Sequence, residues 1–130
     1  MKKNILFVCV ENSNRSQMAQ AFALLHGKGR VNAYSAGSKP SGVINPKAIA
    51  AMKELDYDLT THKSKSLSEI PDVEYEYAIT MGCGDDCPHL VARNREEWAI
   101  PDSKEVNDAD FLKVRDIIEA EVISLLEKVQ

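Results

Sequence analysis

Cys9-Val10-Glu11-Asn12-Ser13-Asn14-Arg15-Ser16 follows directly on the apolar run Ile5-Leu6-Phe7-Val8, and the fold turns on how this stretch reads. Four apolar residues, with β-branched Ile5 and Val8 among them, bounded by a polar cluster predict a short buried strand. Beyond the cluster, Met18, Phe22 and Leu25 recur at helical spacing, with Ala19, Ala21 and Ala23 between them. Cys9 then stands where a strand ends, and Arg15 and Ser16 stand where a helix begins. In an open α/β sheet that place is the crevice beyond the carboxyl ends of the strands, where ligands bind.

The chemistry of such a place follows from electrostatics. A helix N-terminus presents unpaired backbone N–H groups and the positive end of the macrodipole. Val10, Glu11, Asn12, Ser13, Asn14, Arg15 and Ser16 therefore form a candidate oxyanion-binding loop. The planar fork of Arg15 suits two oxygens of a tetrahedral anion. The same field favours thiolate over thiol at Cys9, making it a candidate nucleophile. Ser16 has a hydroxyl to donate to that sulfur, and the Asn12 side chain can hold the loop by bonding its backbone. The competing reading is a buried, inert cysteine closing a strand. The arginine, hydroxyl and amide groups crowded behind Cys9 argue against it.

Length and composition set bounds. A chain of 130 residues, 44% hydrophobic and 28% charged, fits one globular domain with a single core. A net charge of −4 argues against nucleic acid as a partner, although a local cradle can still hold a small anion. Met1-Lys2-Lys3 before apolar residues faintly resembles a signal peptide, but Glu11 and Arg15 interrupt the run too early. No stretch has membrane length, so the cytoplasm is the expected compartment. Three cysteines in such a chain point to redox or metal chemistry rather than a disulfide framework.

In chain order, the first helix is predicted from Arg15 to His26, stopping at Gly27 and Gly29. Val31 to Ala36 reads as the second strand. Asn45-Pro46 supplies a cap and a proline start for a second helix carrying Ala48, Ile49, Met52 and Leu55. Residues 56–65 read as loop, with a helical turn near Ser66–Ile70. Glu76–Met81 is the third strand, Gly82–Arg95 a loop, and Trp98–Ile100 a short fourth strand. Asp108 opens a last helix with the stripe Phe111, Val114, Ile118, Val122, Leu125 and Val129. Alternating strands and helices imply right-handed crossovers and a parallel sheet covered on both faces.

The second chemical stretch is Thr80-Met81-Gly82-Cys83-Gly84-Asp85-Asp86-Cys87-Pro88. Its strand end lies on the same sheet edge as Cys9, and a glycine-rich loop can satisfy the distance a disulfide demands. Cys83 is thus placed to reach Cys9, with Cys87 as a further acceptor in a thiol–disulfide relay. Zinc held by these cysteines and His89, with Cys9 as a fourth ligand, is the alternative. It would sacrifice the anion loop, and the spacing matches common zinc sites poorly. His26, His62 and His89 are scattered and read as surface or packing residues.

Cys9, five intervening residues, then Arg15-Ser16 after an N-terminal strand resembles the phosphate-binding loop of low-molecular-weight protein tyrosine phosphatases. Arsenate reductases share that fold and loop, and Asn12-Ser13-Asn14-Arg15-Ser16-Gln17-Met18-Ala19 is closer to the reductase branch. Met81 through Pro88, followed by Glu97-Trp98, resembles the redox loop of thioredoxin-coupled arsenate reductases. The phosphatases generally lack that cysteine pair and prefer Asp-Pro-Tyr where this chain has Asp102-Ser103-Lys104. The resemblance implies a single domain over residues 1–130, a three-layer α/β fold with a four-stranded parallel sheet in order 2-1-3-4. It implies Cys9 as nucleophile, Cys83 and Cys87 as second and third thiols, and Asp102 as general acid. No cofactor or metal is implied.

Departures from the pattern carry their own expectations. Glu11 stands where glycine is frequent and is expected to point outward, away from substrate. Asn14 replaces a common cysteine. In some reductases acidic side chains near the loop hold a monovalent cation. Gln20 and Lys65 stand at those positions here, and Lys65 is expected to supply the positive charge instead.

The resulting expectation is reduction of arsenate to arsenite, with phosphate or sulfate as analogues, thioredoxin as reductant, and a monomer as the working form. The rival is phosphate-monoester hydrolysis through a phosphocysteine at Cys9, which needs Cys9, Arg15, Ser16 and Asp102 only. A third reading is a non-enzymatic module binding arsenite or zinc across the three cysteines.

Overall fold

A computed structural model describes residues 2–81, 92–101 and 107–129. The expectations for Cys83, Cys87, His89 and Asp102 lie outside the described residues.

The elements are β1 (Lys3–Cys9), α1 (Arg15–His26), β2 (Val31–Gly37), α2 (Pro46–Lys53), β3 (Tyr75–Thr80), β4 (Ala92–Glu97) and α3 (Asp108–Lys128). They build a four-stranded sheet, all neighbours parallel as the alternation of elements predicts, in the order β2-β1-β3-β4 that the resemblance implies. Successive side chains of β1 point to opposite faces. Ile5, Phe7 and Cys9 join a core built with Met18 and Phe22 of α1 and Phe111, Ile118, Val122 and Leu125 of α3. Leu6 and Val8 meet Ala36 and Tyr75 on the other face, against which Leu67 and Ile70 pack. The α3 stripe expected from the sequence is buried as far as Val129.

Local chemistry sets the ends of the helices. Asn45 accepts from the Lys47 N–H at 2.8 Å, with Pro46 at the first helical position, so α2 starts where its cap residue dictates. Asn107, not foreseen as a cap, accepts from the Asp110 N–H at 2.8 Å and opens α3. The segment read as loop over 56–65 holds a 3-10 turn, Leu59–Thr61, started by Asp58 accepting from Thr60 N–H and anchored by a fully buried Leu59. The turn expected near Ser66 is the 3-10 turn Leu67–Glu69.

One strand differs in place. The fourth strand is not Trp98–Ile100 but Ala92–Glu97, inside the stretch read as loop. Its side chains Arg93, Asn94 and Arg95 are exposed, so no alternation of apolar residues marks it. Backbone pairing from Tyr75↔Ala92 to Thr80↔Glu97 makes it a strand. Arg93 reaches Glu74 at 2.6 Å, and Asn94 Nδ2 donates to the Glu76 carbonyl at 3.0 Å. An edge strand needs an apolar pattern less than it needs a ladder. The third strand likewise starts one residue earlier than expected, at Tyr75, and closes at Thr80.

Candidate active site

β1 ends on Cys9, and the chain then turns across the top of the sheet through residues 10–14 into α1. Cys9 pairs with Gly37 of β2, and its carbonyl accepts from Ser38 N–H at 3.2 Å. The loop is pinned from one side by the segment after β2. Lys39 N–H donates to Val10 O, Ser41 N–H to Glu11 O, and Asn45 N–H to Ser13 O, at 2.8, 3.0 and 3.1 Å. Gly37 permits this closeness. A Cβ there would lie 2.5 Å from Val10 O and 3.0 Å from Asn12 N, which no side chain tolerates.

Asn12 takes the left-handed conformation, φ 51°, and its fully buried side chain holds it there. Its Oδ1 accepts from the Lys65 N–H and from Gln17 Nε2, both at 2.9 Å, while Nδ2 donates to Ser16 Oγ at 2.8 Å. Ser16 Oγ lies 2.8 Å from Cys9 Sγ. The Ser16 hydroxyl accepts from Asn12 Nδ2 and has a proton it can give to the sulfur. Cys9 is 3% exposed, at the floor of the loop. Arg15, 8% exposed, donates through Nη1 to Ile100 O at 3.2 Å and so ties the loop to the chain just after β4. Asn14 Oδ1 and Ser38 Oγ are buried at the loop with no hydrogen-bond partner.

The structure thus brings Cys9, Asn12, Arg15 and Ser16 together. Val10, Glu11, Ser13 and Asn14 lie on the same loop, and the Glu11 carbonyl accepts from Ser64 Oγ at 2.9 Å as well as from Ser41. Met81 N–H donates to Val8 O at 2.8 Å, so β3 ends beside the residue preceding Cys9.

Sequence reasoning missed Gln17 and His62. Gln17 is fully buried and donates to Asn12 O, Asn12 Oδ1 and Lys63 O at 3.0, 2.9 and 2.8 Å. His62 reaches Gln17 Oε1 through Nδ1 at 2.9 Å and Tyr57 OH through Nε2 at 2.6 Å. Burial, and the Lys65 charge after it, push the His62 ring down to about 4, so it is neutral near pH 7. The one available signal was a polar run, Asn12 to Gln17, too long for a helix start that only needed a cap.

Gln20 and Lys65 meet through Ser35. Ser35 Oγ donates to Gln20 Oε1 at 2.5 Å, and Lys65 Nζ donates to Ser35 Oγ at 3.4 Å and Lys63 O at 3.1 Å. Burial holds the Lys65 ammonium below the usual lysine range. An ammonium already stands among these oxygens, with the Glu69 carboxylate near enough to favour its charge, so the cluster as built has no need of a monovalent cation. Among the described residues no group of three His, Cys, Asp or Glu side chains is placed to hold a metal.

A low molecular weight phosphotyrosine protein phosphatase family profile matches residues 4–130. Arsenate reductase 1 of Staphylococcus epidermidis is 36% identical, covering 98% of this chain and 98% of that relative. Among solved structures, an arsenate reductase in the phosphate binding state has a TM-score of 0.90 at 31% identity, covering 98% of this chain and 99% of that one. A thioredoxin-dependent arsenate reductase of Corynebacterium glutamicum has a TM-score of 0.80 at 27% identity, covering 99% of this chain and 62% of that one.

Proposed function

This chain belongs to the low molecular weight phosphotyrosine protein phosphatase family, and from that premise we propose that it is an arsenate reductase working through Cys9, Cys83 and Cys87, with thioredoxin as reductant. The observation that carries the reading is Cys9 Sγ at 2.8 Å from Ser16 Oγ, inside a loop of backbone amides at a helix N-terminus. Relatives named arsenate reductases match over nearly the whole chain, which favours the reductase over the hydrolase.

Arsenate sits against the loop amides and Arg15, as phosphate or sulfate would. The Cys9 thiolate attacks arsenic, an As–S bond forms, and one oxygen leaves as water, protonated by Asp102. Asp102 follows Ile100, whose carbonyl holds Arg15, by two residues of chain. Cys83 then attacks Cys9 Sγ. The new S–S bond releases the As–S electron pair to arsenic, which falls from the +5 to the +3 state and departs as arsenite. Cys83 follows Thr80, the last residue of β3, by three residues, a covalent reach of about 10 Å. Cys87 attacks Cys83, Cys9 returns as thiolate, and the Cys83–Cys87 disulfide passes to a dithiol of thioredoxin.

We read the protein as one domain over residues 1–130, monomeric and cytoplasmic. Among the described residues no helix is long and apolar enough to cross a membrane.

Serine substitution of each thiol tests the scheme, assayed for arsenite release and for p-nitrophenyl phosphate cleavage. Cys9→Ser abolishes both activities. Cys83→Ser abolishes arsenite release and keeps the ester cleavage. Cys87→Ser yields one equivalent of arsenite and stops. Continued thioredoxin-supported turnover in Cys87→Ser refutes the relay, and arsenite release unaffected by loss of Cys83 leaves the hydrolase.

A further inference from the structure

We propose that Tyr57, His62 and Gln17 are the outer links of a one-way hydrogen-bond relay that ends on the sulfur of Cys9, which makes Tyr57 and His62 positioning residues for the nucleophile. The inference rests on the reading of Cys9 as nucleophile and concerns how its reactive form is held.

The two amide links are oriented by backbone groups that have no choice of role, and the other links follow from them and from an ionised sulfur. The Lys65 main-chain N–H can only donate, so the Asn12 atom it meets at 2.9 Å is Oδ1, and Nδ2 must face Ser16. The carbonyls of Asn12 and Lys63 can only accept, so the Gln17 atom between them is Nε2, and Oε1 must face His62. The His62 nitrogen at 2.9 Å from that oxygen is Nδ1, which therefore carries the proton. In the neutral ring Nε2 is then an acceptor, and the Tyr57 hydroxyl at 2.6 Å donates to it. Ser16 Oγ accepts from Asn12, and an ionised Cys9 Sγ at 2.8 Å can only accept, so in that form the Ser16 proton goes to the sulfur. From Tyr57 to Cys9, every donor points toward the sulfur. A chain of bonds polarised in one sense strengthens its terminal bond, and here the terminal acceptor is the atom that must be an anion.

The surroundings keep this sense. Gln17, Asn12 and Ser16 are fully buried, so water does not compete for their groups. The rings of Tyr57 and His62 meet edge to face with centroids 5.5 Å apart, which sets the hydroxyl on Nε2. The charges bearing on the pair are Lys65, which opposes a proton on His62, and Asp58, which opposes ionisation of Tyr57. Burial acts the same way on both, so the ring stays neutral and the phenol keeps its proton. His62 serves as an N–H donor, not as a charge. An asparagine places an amide N–H where Nδ1 sits and should substitute for it.

The test uses the reduced full-length chain, with iodoacetamide labelling of Cys9 followed against pH by peptide mass spectrometry. His62→Leu should raise the pH of half-reactivity by about one unit and Tyr57→Phe by about half a unit, while His62→Asn stays within about 0.3 unit of the parent. Nitrogen-15 shifts should show His62 as the Nδ1–H tautomer in the parent, and Tyr57→Phe should admit the other tautomer. Circular dichroism reports folding, and should His62→Leu fail to fold, Tyr57→Phe and the tautomer decide. Unmoved labelling in the folded variants, or an Nε2–H tautomer in the parent, overturns the relay alone. A parent Cys9 that labels only near pH 8.5, like a free thiol, overturns the nucleophile reading and the relay with it.

Discussion

Ser16 bonds Cys9, the proposed nucleophile, and no other side chain except Asn12 among the described contacts, so its removal isolates one bond to the sulfur. Ser16→Ala should lower the rate of the first thiolate attack by about tenfold to a hundredfold, the worth of a hydrogen bond to a charged group. Substrate affinity should change little, and single-turnover kinetics against binding of phosphate separates the two. His62 carries a second expectation, on stability. Its folded value of about 4 lies below the ordinary 6.5, so the unfolded chain binds the extra proton first as pH falls. Stability contributed by the neutral ring is therefore complete above about pH 6.5 and lost progressively toward pH 4. Urea midpoints across that window should slope downward in the parent and flatten in His62→Asn. At this scale the sequence shows Cys9, Asn12, Arg15 and Ser16 because they are neighbours in the chain, and a strand end against a helix start gives their types a meaning. Gln17 and His62 are 45 residues apart, and nothing local announces their bond. A lone histidine in a polar stretch carries no period, so its partner emerges only once the segment after β2 folds back over the loop.

β1, α1 and β2 form the unit that shapes the loop, and its tightest point is Gly37 against Val10. Gly37→Ala places a methyl 2.5 Å from a backbone carbonyl that cannot rotate away. The loop or the end of β2 must move, at a cost of about 1–3 kcal/mol. Thermal melting should show the loss, and arsenate turnover should fall further than stability does, since Cys9 pairs with Gly37. Asn45→Ala is the contrast. It removes the cap on Lys47 N–H, costing about 1 kcal/mol, yet keeps the main-chain bond from Asn45 to Ser13 O, so activity measured well below the melting point should persist. The helices were legible because apolar spacing and cap residues are written locally, as Asn45-Pro46 shows. β4 was not, because its exposed Arg93, Asn94 and Arg95 supply no apolar pattern and its pairing partner lies on another strand. Trp98, read as strand, is instead the buried residue just past the ladder, its N–H still bonded to Thr80 O at 2.8 Å.

Across the whole molecule the net charge is −4, yet the candidate site is built for an anion. Long-range attraction cannot bring arsenate in, because the mean field has the wrong sign and is screened within about 8 Å at physiological salt. Binding must depend on charges fixed near the loop: the start of α1, Arg15 and the ammonium of Lys65. Lys65 is joined to the loop twice, through its N–H on Asn12 Oδ1 and its carbonyl on Gly37 N–H, so its charge is held in register with β2 and Cys9. Half-buried, it donates to Ser35 Oγ, which donates in turn to Gln20, and the expectation from the sequence is that its ammonium supplies the charge a monovalent cation would bring. Arsenate turnover should consequently be the same in potassium, sodium and choline chloride at equal ionic strength, and a potassium-specific stimulation of the parent would sink the assignment. Lys65→Met should raise the KM for arsenate about threefold to tenfold, the effect of one partly screened charge, with no rescue by potassium. Lys65→Glu replaces the ammonium by a carboxylate among the same oxygens. That variant, unlike the parent, should gain activity as potassium is added, because the added cation then has a ligand set and a charge to neutralise.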